Sequence, residues 1–147
     1  MVGLFDFLFA AGPKRTPKQE VGDAGEQAAA KFLKKQGYRI VDRNFTCPRG
    51  EVDLVALEKR SRLLCFVEVR SRTLDDGRAP QVSPEESVTP AKRRRVILAA
   101  RKFLAERRAR GYTPRFDVIT VRFDGDDRRR PDIRHYPAAF DATGQLM

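Results

Sequence analysis

The chain is poor in side chains that hold soft metals: it has one histidine, His135, and two cysteines, Cys47 and Cys65, with no CxxC spacing. That scarcity argues against a zinc cage and a disulfide framework, and reduced thiols in a cytoplasm fit the two cysteines. Long apolar runs are also missing. The apolar opening Val2–Ala11 is interrupted by Asp6, and it is far shorter than the roughly 20 residues a membrane-spanning helix needs. It lacks the basic start of a signal peptide as well. No membrane span is expected, and the segment reads as an amphipathic arm that packs on its own domain or on a second copy of the chain in a homodimer. Acidic residues are the third shortage, 20 against 30 lysines and arginines, for a net charge of +10. The excess favours a polyanionic partner, with nucleic acid as the first choice.

What is present suits one domain: 147 residues, 41% of them hydrophobic, can fill a single core. Residues 1–21 are expected to be arm and linker, because Gly12–Gly22 holds two prolines and several charges; residues 22–137 form the domain, and 138–147 a loosely held tail. Helical spacing of Ala28, Ala29, Phe32 and Leu33 predicts a helix over Asp23–Gln36, stopped by Gly37. Three strands follow at Tyr38–Phe45, Glu51–Leu57 and Leu63–Arg70, the last two joined by a hairpin loop. Thr73–Pro90 reads as a long loop, Ala91–Arg110 as a second helix, Arg115–Phe123 as a strand and Asp132–Tyr136 as a short edge strand. The order α-β-β-β-α-β predicts an α/β fold, a mixed central sheet flanked by helices.

Two carboxylates intrude on apolar strands. Alternation places Glu51, Asp53, Val55 and Leu57 on one side of the second strand, with Val52, Leu54 and Ala56 on the other. Glu68 intrudes on the third strand in the same way, and a hairpin that pairs Leu57 with Leu64 sets Asp53 opposite Glu68, with Cβ atoms about 5 Å apart. Facing like charges repel, and a divalent cation relieves that repulsion. All-oxygen ligation points to Mg²⁺ or Mn²⁺, ions that polarise phosphoryl oxygens and activate water. The bland alternative keeps Glu51 and Glu68 solvated and pairs Asp53 with Arg70 or Arg72. Glu26 has two readings also, as the return partner in a capping box with Asp23 or as a side chain aimed at the sheet.

The segments GEQAAAKFLKKQGYRIVDRNF, RGEVDLVA, FVEVRSR, the helix containing Lys92, and RFDVITV resemble the bacterial YraN-like family over most of residues 22–123. That family looks like a member of the PD-(D/E)-X-K, or restriction-endonuclease-like, nuclease superfamily, near archaeal-type Holliday junction resolvases in layout. The resemblance implies that Asp53 and Glu68 hold the metal, that Val69 lends a backbone carbonyl, and that Glu26 is an additional outer or second-metal ligand. Arg70 stands where the superfamily has lysine; a guanidinium does not act as a base near neutral pH, yet it can clamp a phosphate. Lys92 is the candidate replacement for the missing ammonium if the fold brings it near. Asp117 is expected to be structural, paired with Arg70 or Arg115.

Lys92, Arg93, Arg94 and Arg95 open a basic face on the second helix, and Arg43, Arg49 and Arg72 flank the carboxylate strands. All seven are candidate contacts to a nucleic-acid backbone. The expected function is a metal-dependent nuclease acting on DNA rather than RNA, on branched or flapped forms among others. The alternative is a non-catalytic nucleic-acid-binding module, either a degenerate nuclease fold or one built like a double-stranded-RNA-binding domain, whose element order is similar but leaves RFDVITV without a place.

Overall fold

The computed structural model describes residues 14–74, 88–107 and 109–147. The apolar arm Val2–Ala11, and residues 75–87 of the expected loop, lie outside the described residues. The first helix, α1, spans Pro17–Lys35 and so begins inside the stretch that reads as a linker. Its start is set by a capping box: Thr16 Oγ1 accepts the Gln19 N–H at 3.2 Å, and the Gln19 side chain accepts the Thr16 N–H at 2.9 Å. Pro17 falls at the helix start, where its missing N–H costs nothing. The Asp23–Glu26 capping box is therefore overturned. Asp23 pairs instead with Arg15, and Glu26 lies mid-helix.

Among the described residues, five strands form one sheet in the order β1-β2-β3-β4-β5: β1 Tyr38–Cys47, β2 Gly50–Glu58, β3 Leu63–Leu74, β4 Thr113–Asp124 and β5 Asp127–Phe140. All neighbours are antiparallel except β3 and β4, which are parallel and joined through α2, Pro90–Glu106. The expected mixed α/β core is thus present, and Leu57 pairs with Leu64 as the hairpin requires. α2 packs on one face around Val55, Phe66, Val96, Phe103 and Phe116, whereas α1 packs on the other around Ala29, Leu33, Leu54, Val67 and Ile119. Truncating the buried Phe103 to alanine would cost about 3–5 kcal/mol.

Strict alternation fails at one point. Val52 packs with Val55 on the α2 side and not with Leu54 and Ala56, so β2 changes its facing around Asp53. The C-terminal expectations also change. β5 is a 14-residue strand and not a short edge piece, because Phe140 is buried and stacks on Phe116 with ring centroids 5.3 Å apart. Leu146 bridges back to Phe140 and the Met147 N–H donates to the Ala139 carbonyl, so the tail is tied down. α2 ends at Glu106, short of the expected Arg110. Among the described residues no helix is long and apolar enough to cross a membrane.

Candidate active site at a strand fork

The ladder between β2 and β3 runs from Glu58↔Leu63 to Leu54↔Val67, and one more step would pair Asp53 with Glu68. It stops there. Beyond that point β2 stays with β1, through Phe45↔Val52 and Thr46↔Glu51, while β3 stays with β4 from Glu68↔Val118 onward. The two strands part, and the carboxylates sit at the crotch. The Val69 N–H, which has lost its strand partner on that side, donates to Asp53 Oδ2 at 2.7 Å. A side-chain carboxylate thus replaces a backbone carbonyl, which holds Asp53 in place and satisfies a buried donor.

Asp53 and Glu68 lie close enough to hydrogen-bond when either is protonated, and each shifts the other's titration. Glu68 is 9% exposed, and burial, the Asp53 charge and that hydrogen bond push its carboxyl up to about 8, against a smaller downward pull from Lys92 and Arg70. Burial raises Asp53 as well, opposed by the Val69 N–H and Glu68. Both shifts favour protonation of the pair, and a divalent ion bound there would compete with the proton. Neither carboxylate has an arginine ion pair among the described residues, contrary to the bland reading of Asp53 with Arg70 or Arg72.

Two glycines let both helices reach this fork. A Cβ on Gly25 would fall 1.6 Å from Ser71 Oγ, so only a glycine lets α1 cross β3 this closely and set Glu26 beside Asp53. A Cβ on Gly50 would fall 2.3 Å from the Arg95 carbonyl oxygen and 2.7 Å from the Ala99 nitrogen. Contact there seats the start of α2, with Lys92, over β2. Glu26 is raised first by burial and then by the charge of Asp53, while a hydrogen bond from Asn44 and the Arg43 charge pull it down. Asn44 reaches it from β1 with a left-handed backbone, φ 51, which asparagine tolerates better than most residues.

The result is an open cleft of about 520 Å³. Four carboxylates line it, Glu26, Glu51, Asp53 and Glu68, and so do four cations, Lys18, Arg70, Arg72 and Lys92. Lys92, on a helix far along the chain, acts electrostatically on both Asp53 and Glu68. Val69 lines the cleft with its neighbours Ser71 and Thr73. Among the described residues no three His, Cys, Asp or Glu side chains converge tightly enough to hold an ion by themselves, so Glu26 stands near the pair without joining it. Two carboxylates nevertheless suit magnesium, which keeps several waters and is commonly held by one or two protein carboxylates together with substrate phosphate.

The flanking cations separate into groups. Arg72 lines the cleft, Arg43 is exposed on β1 beside Glu26, and Arg49 is exposed in the β1–β2 turn away from the lining. Arg95 pairs with Glu51 at 3.5 Å. Arg94 lines a separate groove against the C-terminal turn. Arg93 is occupied structurally: its guanidinium donates to the Gly144 carbonyl at 2.8 Å and to the Val88 carbonyl at 2.5 Å, so it tethers the tail and presents no free fork to a phosphate. Lys18 and Asn44 escape sequence reasoning. The Thr16–Gln19 capping box was the one signal that could have placed Lys18 on a helix.

A third buried carboxylate, Asp117 on β4, has a different environment. Arg115 Nε and Nη2 donate to it at 2.9 and 2.8 Å, the Ala138 N–H at 3.0 Å, and His135 Nε2 bonds at 2.8 Å. Arg115 also reaches Tyr38 Oη at 2.8 Å. Burial would raise this carboxyl, but His135, Arg115 and the Ala138 N–H outweigh it and hold it below its ordinary value. The structural pairing of Asp117 with Arg115 is as expected, and His135 is an addition to it.

The family model described as "Uncharacterised protein family UPF0102" matches residues 25–121. A "UPF0102 protein" from Myxococcus xanthus is 47% identical over 125 residues, covering 85% of this chain and 92% of the relative. One from Syntrophotalea carbinolica is 45% identical, covering 84% and 94%. Another, "UPF0102 protein TTE1452" from Caldanaerobacter subterraneus, is 36% identical, covering 86% and 99%.

Proposed function

The chain belongs to the uncharacterised protein family UPF0102, the YraN-like family that its motifs resemble, and we propose that it is a metal-dependent nuclease that hydrolyses phosphodiester bonds in DNA. The observation that carries the proposal is the Asp53–Glu68 pair, two carboxylates brought together where β2 and β3 part, in a cleft that also presents four cations. A purely structural pair would gain more from an arginine, as Asp117 does. Perturbed carboxylates in a cleft are a mark of function.

Asp53 and Glu68 would hold Mg²⁺ or Mn²⁺, with the Val69 carbonyl as a further ligand and Glu26 acting through water. When bound, the ion supplies charge to polarise the scissile phosphate and to acidify the attacking water. Asp53 keeps its orientation through the Val69 N–H. Arg70 clamps the phosphate and offsets charge that develops on its oxygens, a role guanidinium fills without losing a proton. Lys92 takes the position of the missing ammonium and orients the phosphate or the attacking water from the α2 side of the cleft. Arg43, Arg49, Arg72, Arg94 and Arg95 add sequence-independent attraction for the DNA backbone.

The test is cleavage of linear, flapped and four-way DNA, and of matching RNA, with magnesium or manganese, beside an Asp53→Ala variant. Cleavage of DNA that disappears in the variant is expected. Salt-sensitive binding by both proteins without cleavage would instead favour a nuclease fold that has kept only binding. Arg70 at the lysine position and the absence of a third converging carboxylate among the described residues favour that second reading. The design of a double-stranded-RNA-binding domain is disfavoured, because β4 is an inner strand paired on both sides.

A further inference from the structure

We propose that a groove between α1 and the β4–β5 hairpin is a second tract for nucleic-acid phosphate backbone, so that a substrate in the cleft extends along α1; this rests on the nuclease reading of the cleft. The groove, about 550 Å³, takes Lys31 and Lys35 from α1 and Arg128, Arg129 and Arg130 from the hairpin. Among the described residues no carboxylate lines it. The catalytic cleft, by contrast, has as many acids as bases. Lys31 and Lys35 are spaced i,i+4, where like charges destabilise a helix, and neither they nor Arg130 form an ion pair among the described residues. Five cations lining one channel, four of them without an ion pair among the described residues, are a favourable setting for a polyanion.

The hairpin side of the groove is fixed. Arg128 donates to the Glu20 carbonyl at 3.0 Å and lies over the Phe123 ring, 5.7 Å from its centroid. Arg129 is paired with Asp127 at 3.1 Å. Phe123 is 1% exposed and covered by Arg128, so its ring is not offered to a base. Contact is therefore with phosphate and sugar, which positions a strand without reading its sequence.

Both sites share α1. The cleft uses Pro17, Lys18, Gly22 and Glu26, and the groove uses Gln27, Lys31 and Lys35 on the later turns. At 1.5 Å per residue, Lys18 and Lys35 are about 25 Å apart along the axis, equivalent to about seven base pairs. Along the α1 axis the two sites thus lie within one turn of duplex of each other.

The experiment measures binding of a duplex of about 30 base pairs, a length well beyond both sites, by fluorescence anisotropy over a range of salt, with the full chain and no divalent metal. The probe is compared on the wild type, on Lys31→Ala/Lys35→Ala/Arg130→Ala, and on a charge-keeping Lys31→Arg/Lys35→Arg/Arg130→Lys variant, each checked for folding by thermal melting. Three lost phosphate contacts lower the slope of log affinity against log salt by about 2–3 and weaken binding at least about tenfold at physiological salt, and the charge-keeping variant restores both. In cleavage, the alanine variant raises KM and leaves kcat at saturating DNA unchanged. Wild-type affinity and slope in the alanine variant overturn the groove while leaving Asp53-dependent cleavage standing, as expected if the groove serves an acidic protein. A wild type that binds no duplex overturns the groove, whereas the nuclease reading falls only if Asp53-dependent cleavage of linear, flapped and four-way DNA with magnesium or manganese is also absent.

Discussion

The half-buried Asp53 with the buried Glu68, and the buried Asp117, are carboxylates on the same sheet with opposite electrostatics. Asp117 is fully buried and its charge is met by Arg115, His135 and a backbone N–H. Its carboxyl is lowered in consequence. Asp53 and Glu68 are met chiefly by each other, and both are raised. The same residue type on one sheet is thus a structural post in one place and a frustrated site in the other. What separates them is that the fold brings Arg115 and His135 onto Asp117 but no such partner onto Asp53 and Glu68 among the described residues.

Removing the frustrated charge should have the largest effect on activity and little on folding. Asp53→Asn keeps an acceptor for the Val69 N–H but loses most of the affinity for a divalent ion, and single-turnover cleavage should fall on the order of a thousandfold. Its melting temperature should stay within a few degrees of wild type; a collapse there would mean that the pair is structural. Asp117→Ala should do the reverse. It strands Arg115 without its carboxylate and should cost about 3–5 kcal/mol, or roughly 10 °C or more in a chain of this size, with DNA cleavage preserved below the melting point. Loss of cleavage in a still-folded Asp117→Ala protein would break the contrast.

The two carboxylate systems also respond to pH in opposite directions. Glu68 is raised to about 8 when folded, so the stability it contributes is present below its ordinary carboxylate range and is lost as pH climbs toward 8. Asp117 is lowered, so its contribution is present above the ordinary range and is lost as acid protonates it. Metal-free wild type should lose stability between pH 5 and pH 8, roughly the interval set by the Glu68 shift, and Glu68→Gln should flatten that loss. Over the same interval apparent magnesium affinity, read by calorimetry, should rise with pH because binding expels a proton. A flat affinity profile would show that no shared proton stands at the fork. The smallest effect is assigned to Asn44→Ala, which releases Glu26 from its hydrogen bond and should weaken metal affinity about tenfold, as the loss of a supporting contact does. An unchanged affinity would remove Glu26 from the metal's surroundings.

Much of this contrast was visible before the fold. The β2–β3 hairpin has a short loop and strands of apolar residues, so local pattern set the Leu57↔Leu64 register, and that register carries Asp53 to Glu68. The expectation for Asp117 rested on Arg115, two residues away on the same strand face. The errors arose where distant segments meet. Val52 leaves its expected side because β2 parts from β3 at Asp53 and continues only with β1. Arg93 looked like one more cation in a basic run, and only the C-terminal turn, brought alongside α2, reveals what it binds. The tail looked loose because its anchor, Phe140, stacks on a strand more than twenty residues earlier.

By itself the sequence determined the strands, the hairpin register, the acidic pair and the family, because periodicity, turns and motifs are short-range properties written in neighbouring residues. The tertiary structure alone decided that Lys92 joins the pair, that Glu26 stands beside it through the Gly25–Ser71 crossing, and that Lys31 and Lys35 face three arginines across a groove. Those arrangements depend on how helices settle on a sheet, a balance of close packing and charge summed over contacts distant in the chain, which no local pattern encodes.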